Sequence, residues 1–436
     1  MKRANGLYLG GFLAIVALGL GGAALLKGGF YIGKHEGDTL HLVQMVLRVA
    51  QGEWPHLGFH TPIGVLAIAP MALLIKAGLG IGMAMMASQV LVAGLLMPAI
   101  WYVAQSRFSG GWAYGFGAMV LVLILALVHG EADPTVSISM HYNRWAWAVA
   151  YLVIATALLT PVVGRANPWA DGLILGVGAA LLALIKVTYF VSFAPAVLVL
   201  LIGRRQWHVL GVAVGAGLAV GAVVTLAAGP GFWLAYIHDL QTVRASGFRA
   251  NPGLPFGMVV GAPAYMAASL AAILSVVLLR QSGRAIEGLA MLLLAGGFFY
   301  VTYQNFANDP QWLGLLGLML WQMSPPEGLR NGLGWDLRQA TRLTALSALL
   351  MAAPSLLNLA YSPFRHLTVD VAAYKPLLPI TGANQWANQD LQTLATRARK
   401  IIAQVALEAP DNAFGAYTDP AERDMTRVSF RGEALP

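Results

Sequence analysis

The chain has 436 residues, no cysteine, 58% hydrophobic residues and only 11% Asp, Glu, Lys and Arg. Soluble domains carry about a quarter charged residues, so this composition excludes a soluble protein of this size, and its apolar content excludes a disordered one. What remains is an all-α polytopic membrane protein; the net charge of +8 signals nucleic acid only if it gathers on an aqueous face.

A membrane span needs about 20 mostly apolar residues. The first is Gly6 to Leu26, behind Met1-Lys2-Arg3. It is too long for a signal peptide and lacks a small-residue cleavage site, so it reads as a retained span with a cytoplasmic N-terminus. Further apolar runs cover Pro62–Leu79, Ile81–Ala104, Trp112–Val128, Trp145–Val163 and Gly172–Ile202. Others cover Leu210–Ala228, Phe256–Leu279, Ile286–Val301, Leu313–Met323 and Leu343–Ala360. The Gly172–Ile202 run accommodates two short helices, broken near Lys186 and Pro195. The expectation is a bundle of roughly 11–13 membrane helices.

Basic residues orient the bundle, because short cytoplasmic loops are enriched in them. Lys2, Arg3, Arg107, Arg165, Arg204, Arg205, Arg280, Arg284, Arg330, Arg338 and Arg342 all fall in short connections. With these in the cytoplasm, the opposite side receives Lys27 to Trp54, Gly130 to Arg144, Gly229 to Pro255 and Thr302 to Gln311. Three apolar runs between the first two of those loops would place them on opposite sides. Either one run is re-entrant or interfacial, the expected one being the run from Pro62, short, interrupted by Pro70 and carrying Lys76, or the second loop is misplaced. Residues 1–361 form the transmembrane domain, and 362–436 a small extracytoplasmic cap or tail. Within the tail, Asn384–Leu407 reads as an amphipathic helix with Leu391, Leu394, Ile401, Ile402 and Val405 on its apolar face.

The scarce charges concentrate after the first span, in Lys34-His35-Glu36-Gly37-Asp38-Thr39-Leu40-His41. From Thr39 to Val49 the apolar spacing fits an interfacial helix, broken by Gly52, Pro55 and Gly58. Glu36 and Asp38 thus precede a helix N-terminus, where the macrodipole favours an ionised carboxylate. Such a carboxylate can take a proton from a hydroxyl nucleophile. The plain alternative is that Asp38 or Thr39 is only an N-cap. His35, His41, His56 and His60 share this loop and with the acids could ligate a divalent metal, but their spacing matches no compact zinc signature.

The layout as a whole, E-G-D-x-x-H, then R-x-x-x-G-x-x-P, then T-P-I-G-x-L, resembles the GT-C superfamily of membrane glycosyltransferases. Those enzymes use polyprenyl-phosphate-linked sugar donors and carry an essential acid in the first outer loop. The resemblance implies Asp38 as catalytic base, with Glu36 as second choice, although an E-G-D replaces the usual paired acids. It extends to Glu131 and Asp133 as a second acidic site, and to the Gly176-to-Lys186 helix. It implies a GT-C-like bundle in a bacterial plasma membrane with an extracytoplasmic active site. The donor's partner would be a glycan, lipid or protein acceptor, with inversion at the anomeric carbon, no required cofactor and no nucleic acid.

Arg pairs with phosphate through bidentate bonds. Arg144, following His141, Tyr142 and Asn143 at a span end, reads as placed at headgroup depth, where it either binds phosphate or snorkels. Arg244 and Arg249 read as donor or lipid-headgroup contacts, and Lys186 inside an apolar run marks a function or an ion pair. His60, Asn308 and Asp309 complete the expected substrate contacts, the last two in a polar, aromatic stretch that is otherwise an ordinary interfacial loop. The alternative to an enzyme is a lipid or solute transporter or flippase, whose mark is paired broken helices with charges at mid-membrane. A non-catalytic scaffold subunit would not need acids, His and Arg gathered on one side.

Overall fold

A computed structural model of the chain describes residues 2–130, 133–164, 166–245, 263–303, 309–377 and 390–397. It is dominated by helices, six of them long and apolar enough to cross a membrane. That is compatible with a multi-pass membrane protein, the coarse architecture expected from composition.

Helix α1 (Gly6–Leu25) starts where the Asn5 side chain accepts hydrogen bonds from the Leu7 and Tyr8 amides. It leads into strand β1 (Phe30–Ile32) and helix α2 (Glu36–Ala50). Glu36 and Asp38 occupy the first turn of α2 and Arg48 the last, the arrangement the helix dipole favours. Arg48 also fixes the loop that follows. It hydrogen-bonds Glu53 at 2.9 Å and the Gly58 carbonyl at 2.8 Å, and stacks over Phe59. Helices α3 (Ala69–Lys76), α4 (Ile81–Arg107), α5 (Gly111–Leu125) and α6 (His141–Leu158) come next.

The run from Pro62 does not cross the bundle. It forms a 3-10 turn at Val65–Ala67 and the eight-residue α3, and both its flanks stay at one end. Gly64 donates to the Ile185 carbonyl, and Gly80 abuts Asp390.

Helix α7 (Pro168–Gly203) is two antiparallel arms, 168–185 and 187–203. Lys186 between them has extended backbone angles, φ −157° and ψ 103°. Both outer ends lie together. Asp171 pairs with Arg107 at the end of α4, and Arg204 donates to the Ala157 and Leu158 carbonyls at the end of α6. Pro195 does not break the second arm. At the hairpin tip, a Cβ on Gly64 would stand 2.1 Å from the Leu184 carbonyl oxygen, so only glycine permits that contact.

Helices α8 (Trp207–Ala228), α9 (Gly231–Ala245), α10 (Pro263–Gln281), α11 (Ala285–Tyr303), α12 (Trp312–Gln322) and α13 (Leu337–Leu367) follow among the described residues. Nearly all of α6 is buried, including Trp145, Trp147 and Tyr151, as befits a helix apolar on every side at the centre of a bundle. In α8 only Val209 and Val224 are buried, while Leu218, Val223 and Leu226 are exposed.

The long helices run between two ends. One is basic: Arg3 meets Gln105, Ser109 meets Gln322, and Asn331 meets Gln281. The other gathers the 27–67, 126–140, 229–245 and 309–311 segments together with residues 366–377 and 390–397.

The chain is not purely helical. Strands β2 (Tyr374–Pro376) and β3 (Leu391–Leu394) form a three-stranded sheet with β1, in the order β1-β3-β2, with β1 and β3 parallel. Leu391–Leu394 is therefore a strand, where the spacing from Asn384 to Leu407 predicts an amphipathic helix. The reason is tertiary: β3 satisfies its backbone on both neighbours and buries Leu391 and Thr393 in alternation. The rest of that stretch lies outside the described residues.

Candidate active site

The loop after α5 alternates in polarity as Thr135-Val136-Ser137-Ile138-Ser139, with Val136 to Ser139 all buried. Gly33 donates to the Val136 carbonyl and Ser137 to that of Leu127, so the loop is laced between β1 and its own first strand-like half. Its polar face then meets the first turn of α2. Ser139 Oγ donates to Asp38 Oδ2 at 2.5 Å, and His35 Nδ1 lies 3.0 Å from Ser137 Oγ. Lys34 Nζ donates to Asp133 Oδ2 at 2.5 Å. These groups enclose a polar pocket of about 260 Å³ lined by Lys34, His35, Asp38, His129, Asp133 and Ser139, among others.

Two residues lining this pocket, His35 (φ 62°) and Met140 (φ 55°), hold left-handed backbone angles that non-glycine residues avoid. Each cap of this kind costs about 1–3 kcal/mol and persists only where the surroundings impose it. They turn the chain into α2 and α6 respectively.

The electrostatics separate the pocket's groups. Burial lowers the pKa of His35, and Lys34 beside it adds to the effect. Burial, with His35 and Arg144 nearby, pushes His129 down to about 4. The hydrogen bond from Lys34 holds the Asp133 carboxyl far below the usual range. Near neutral pH the pocket thus contains two neutral imidazoles, an ion pair, and the exposed Asp38.

The remaining candidates divide. Glu36 is 5% exposed and faces away from this chemistry: it accepts hydrogen bonds from Thr393 and from Arg397 through two nitrogens. Burial alone would raise its pKa, but the Arg397 and Thr393 hydrogen bonds outweigh it and lower the value. His141 is buried and donates from Nε2 to the Ala67 carbonyl. Arg144 is also fully buried, donating to the Val128 carbonyl at 2.6 Å and the Ala126 carbonyl at 2.8 Å. It stands inside the protein and holds up the end of α5. The cause is the irregular stretch after α5, whose orphan carbonyls need a donor.

Lys186 sits at the hairpin tip, not mid-helix. It donates to Asn143 Oδ1 at 2.8 Å and lies 5.2 Å from the centre of the half-buried Tyr142 ring. Arg244 is exposed near the end of α9. Asp309 accepts from Ser355 and lies beside Gly130, so the 309–311 segment backs the pocket. Glu131, Arg249 and Asn308 lie outside the described residues.

A second polar cluster joins the first loop to α9. Asp239, buried, accepts from His56 Nδ1 at 2.8 Å, His60 Nδ1 at 2.5 Å and the Thr61 amide at 3.0 Å. Burial works to raise the Asp239 pKa, but these three bonds hold it below its usual value. His56 stacks on Tyr236, while His60 is half-exposed. An ionised carboxylate only accepts, so both rings donate through Nδ1. Among the described residues, no group of three or more His, Asp or Glu is arranged to hold a metal ion.

An apolar groove of about 620 Å³ runs between the two arms of α7 and α8, from Leu201 and Leu210 up to Leu184, Thr225 and Trp233. Its upper end comes within two residues of Lys186.

The sequence pointed to Asp38, Asp133 and Asp309, and these three segments do converge. It missed Ser137 and Ser139, although the period-two alternation from Thr135 to Ser139 is the signal that places them on one face. Nothing local in the sequence ties Asp239 to His56 and His60. No family model, no curated protein and no solved structure matches this chain.

Proposed function

We propose that the protein is an integral membrane glycosyltransferase that moves a sugar from a polyprenyl-phosphate-linked donor to an acceptor hydroxyl on the extracytoplasmic face. The observation that carries this reading is the exposed Asp38 carboxylate, oriented by Ser139 in a polar pocket at the end of the bundle opposite the basic loops. Asp38 would accept the acceptor's hydroxyl proton as that oxygen attacks the anomeric carbon. The bond to the donor phosphate breaks with its electron pair leaving on the phosphate, inverting the carbon.

The apolar groove has the chemistry to hold a prenyl chain, and Lys186 at its upper end is the cation nearest to where the phosphate would lie. The passes of α1, α4 to α8 and α10 to α13, with α7 counted twice, supply the spans of such a bundle. The basic end fits the cytoplasm by the positive-inside rule. A transporter reading would rest on charges at mid-membrane; Lys186 sits at the tip of the α7 hairpin, hydrogen-bonded to Asn143.

The test is transfer by purified protein. Asp38→Asn keeps shape and removes basicity, and a lost general base costs about 10²–10⁴ in rate. Wild-type turnover by that variant would refute the base assignment. Prenyl-phosphate sugars scanned for thermal stabilisation test donor binding separately, since binding raises apparent stability by mass action. Silence across all donors would favour a transporter.

A further inference from the structure

We infer that the segment Asp390–Arg397 is a clasp that sets the first turn of α2, making Arg397, Thr393 and Asp390 positioning residues for Asp38. Three attachments of different chemistry converge on this short stretch. The Asp390 carboxylate accepts from the amides of Gly82 at 3.0 Å and Met83 at 2.8 Å, closing the N-terminus of α4 from a distant part of the chain. Its carbonyl accepts from the Phe30 amide at 2.6 Å. Strand β3 then lies parallel to β1, the strand that leads directly into α2. Finally, Thr393 and Arg397 grip Glu36, the residue that opens α2.

The surroundings are shaped to admit the clasp. A Cβ on Gly80 would stand 2.3 Å from Asp390 Oδ2, so the chain before α4 carries glycine where the carboxylate docks. Leu394 approaches Gly33, which in turn abuts Thr135 of the polar pocket. Glu36 is nearly buried, and a buried carboxylate without its partner seeks water. Release of Arg397 would therefore draw Glu36 outward and unwind the turn that carries Asp38 two residues later. A helix-dipole role for Glu36 in the first turn needs no arginine; the bidentate partner from the far end of the chain is what calls for a positioning role.

The absence of cysteine gives a direct test on the full chain. Thr39→Cys places a near-isosteric thiol at a fully buried position in the first turn of α2, so maleimide labelling reports opening of that turn. Ser88→Cys, buried in α4, serves as the reference. Arg397→Ala is expected to speed labelling at position 39 at least tenfold and leave position 88 unchanged, with Arg397→Lys restoring most of the protection. An unchanged rate at position 39, or an equal rise at both positions, overturns the clasp. The link to Asp38 as base rests on the glycosyltransferase reading, and a turnover arm probes it. There, Arg397→Ala should lower kcat at least tenfold with KM little changed, recovered by Arg397→Lys. Labelling needs no reaction, so loss of the enzymatic reading leaves the clasp standing, and an unperturbed kcat with faster labelling removes only the positioning role.

Discussion

The two ends of the molecule spend the same kinds of residue in opposite ways. At the basic end, Arg107 and Asp171 pair at 2.6 Å with side chains only 2% and 6% exposed, and Tyr102 donates to the same carboxylate. Arg204 there donates to two carbonyls of α6 and pairs with Glu287. At the pocket end, Asp38 is exposed, Lys34 and Asp133 pair in partial contact with solvent, and two neighbouring residues hold left-handed backbones. Charge by itself therefore does not locate a site in this chain. Arg205 at the basic end is also exposed on a left-handed backbone, so what distinguishes the pocket end is that its accessible charges, Lys34, Asp38 and Asp133, line one polar pocket.

The sharpest way to break that contrast is to remove Arg107. Arg107→Ala leaves Asp171 buried without its cation, and loss of one partner of a buried pair costs about 3–5 kcal/mol. The thermal midpoint in detergent should fall accordingly, while the Asp38 pocket, at the other end, keeps its activity per folded molecule. Replacing both Arg107 and Asp171 with leucine should cost much less, because no charge is then stranded. A loss below about 1 kcal/mol for Arg107→Ala would make the two ends equivalent.

The same contrast explains what was legible in the sequence. Hydropathy placed the long helices, and the distribution of arginine grouped the loops into two ends, because both follow from solvation of individual residues. The hairpin in α7 was legible as well, since one run exceeded a single crossing. Arg144 was not. Its burial depends on the carbonyls of Ala126 and Val128 falling beside it, a tertiary coincidence that no local pattern encodes. The setting of Glu36 was not legible for a similar reason. Its partner Arg397 lies at the other end of the chain, in a stretch whose apolar spacing suggested a helix but whose neighbour β1 offered an edge to pair with.

Protonation offers a second, smaller probe of the pocket end. His129 has its folded pKa pushed down to about 4 from an ordinary 6.5. The unfolded chain binds the extra proton first, so stability is complete above about pH 6.5 and is lost as pH falls toward 4. The slope from this one group reaches at most about 1.4 kcal/mol per pH unit, and less because the ring is only partly buried. His129→Gln should flatten the pH dependence of the thermal midpoint in this window, and an unchanged slope would assign the acid sensitivity elsewhere.

The smallest expected stability effect is also the one that separates the two ends most cleanly. Lys34→Ala removes a partly exposed ion pair with Asp133, and such pairs contribute less than about 1 kcal/mol. Solvent ions reach this pair but not Arg107 and Asp171. The screening length shrinks from about 10 Å at 0.1 M salt to about 3 Å at 1 M. The small shift in thermal midpoint caused by Lys34→Ala should therefore vanish at high salt, while that of Arg107→Ala persists. The pocket's chemistry should respond more than its stability does. Without Lys34, Asp133 loses the hydrogen bond that keeps it paired, and the pocket gains an uncompensated negative charge next to Asp38. Binding of an anionic ligand there should weaken severalfold at low salt and recover as salt rises. A Lys34 effect that ignores salt would place this residue with Arg107, as a structural charge.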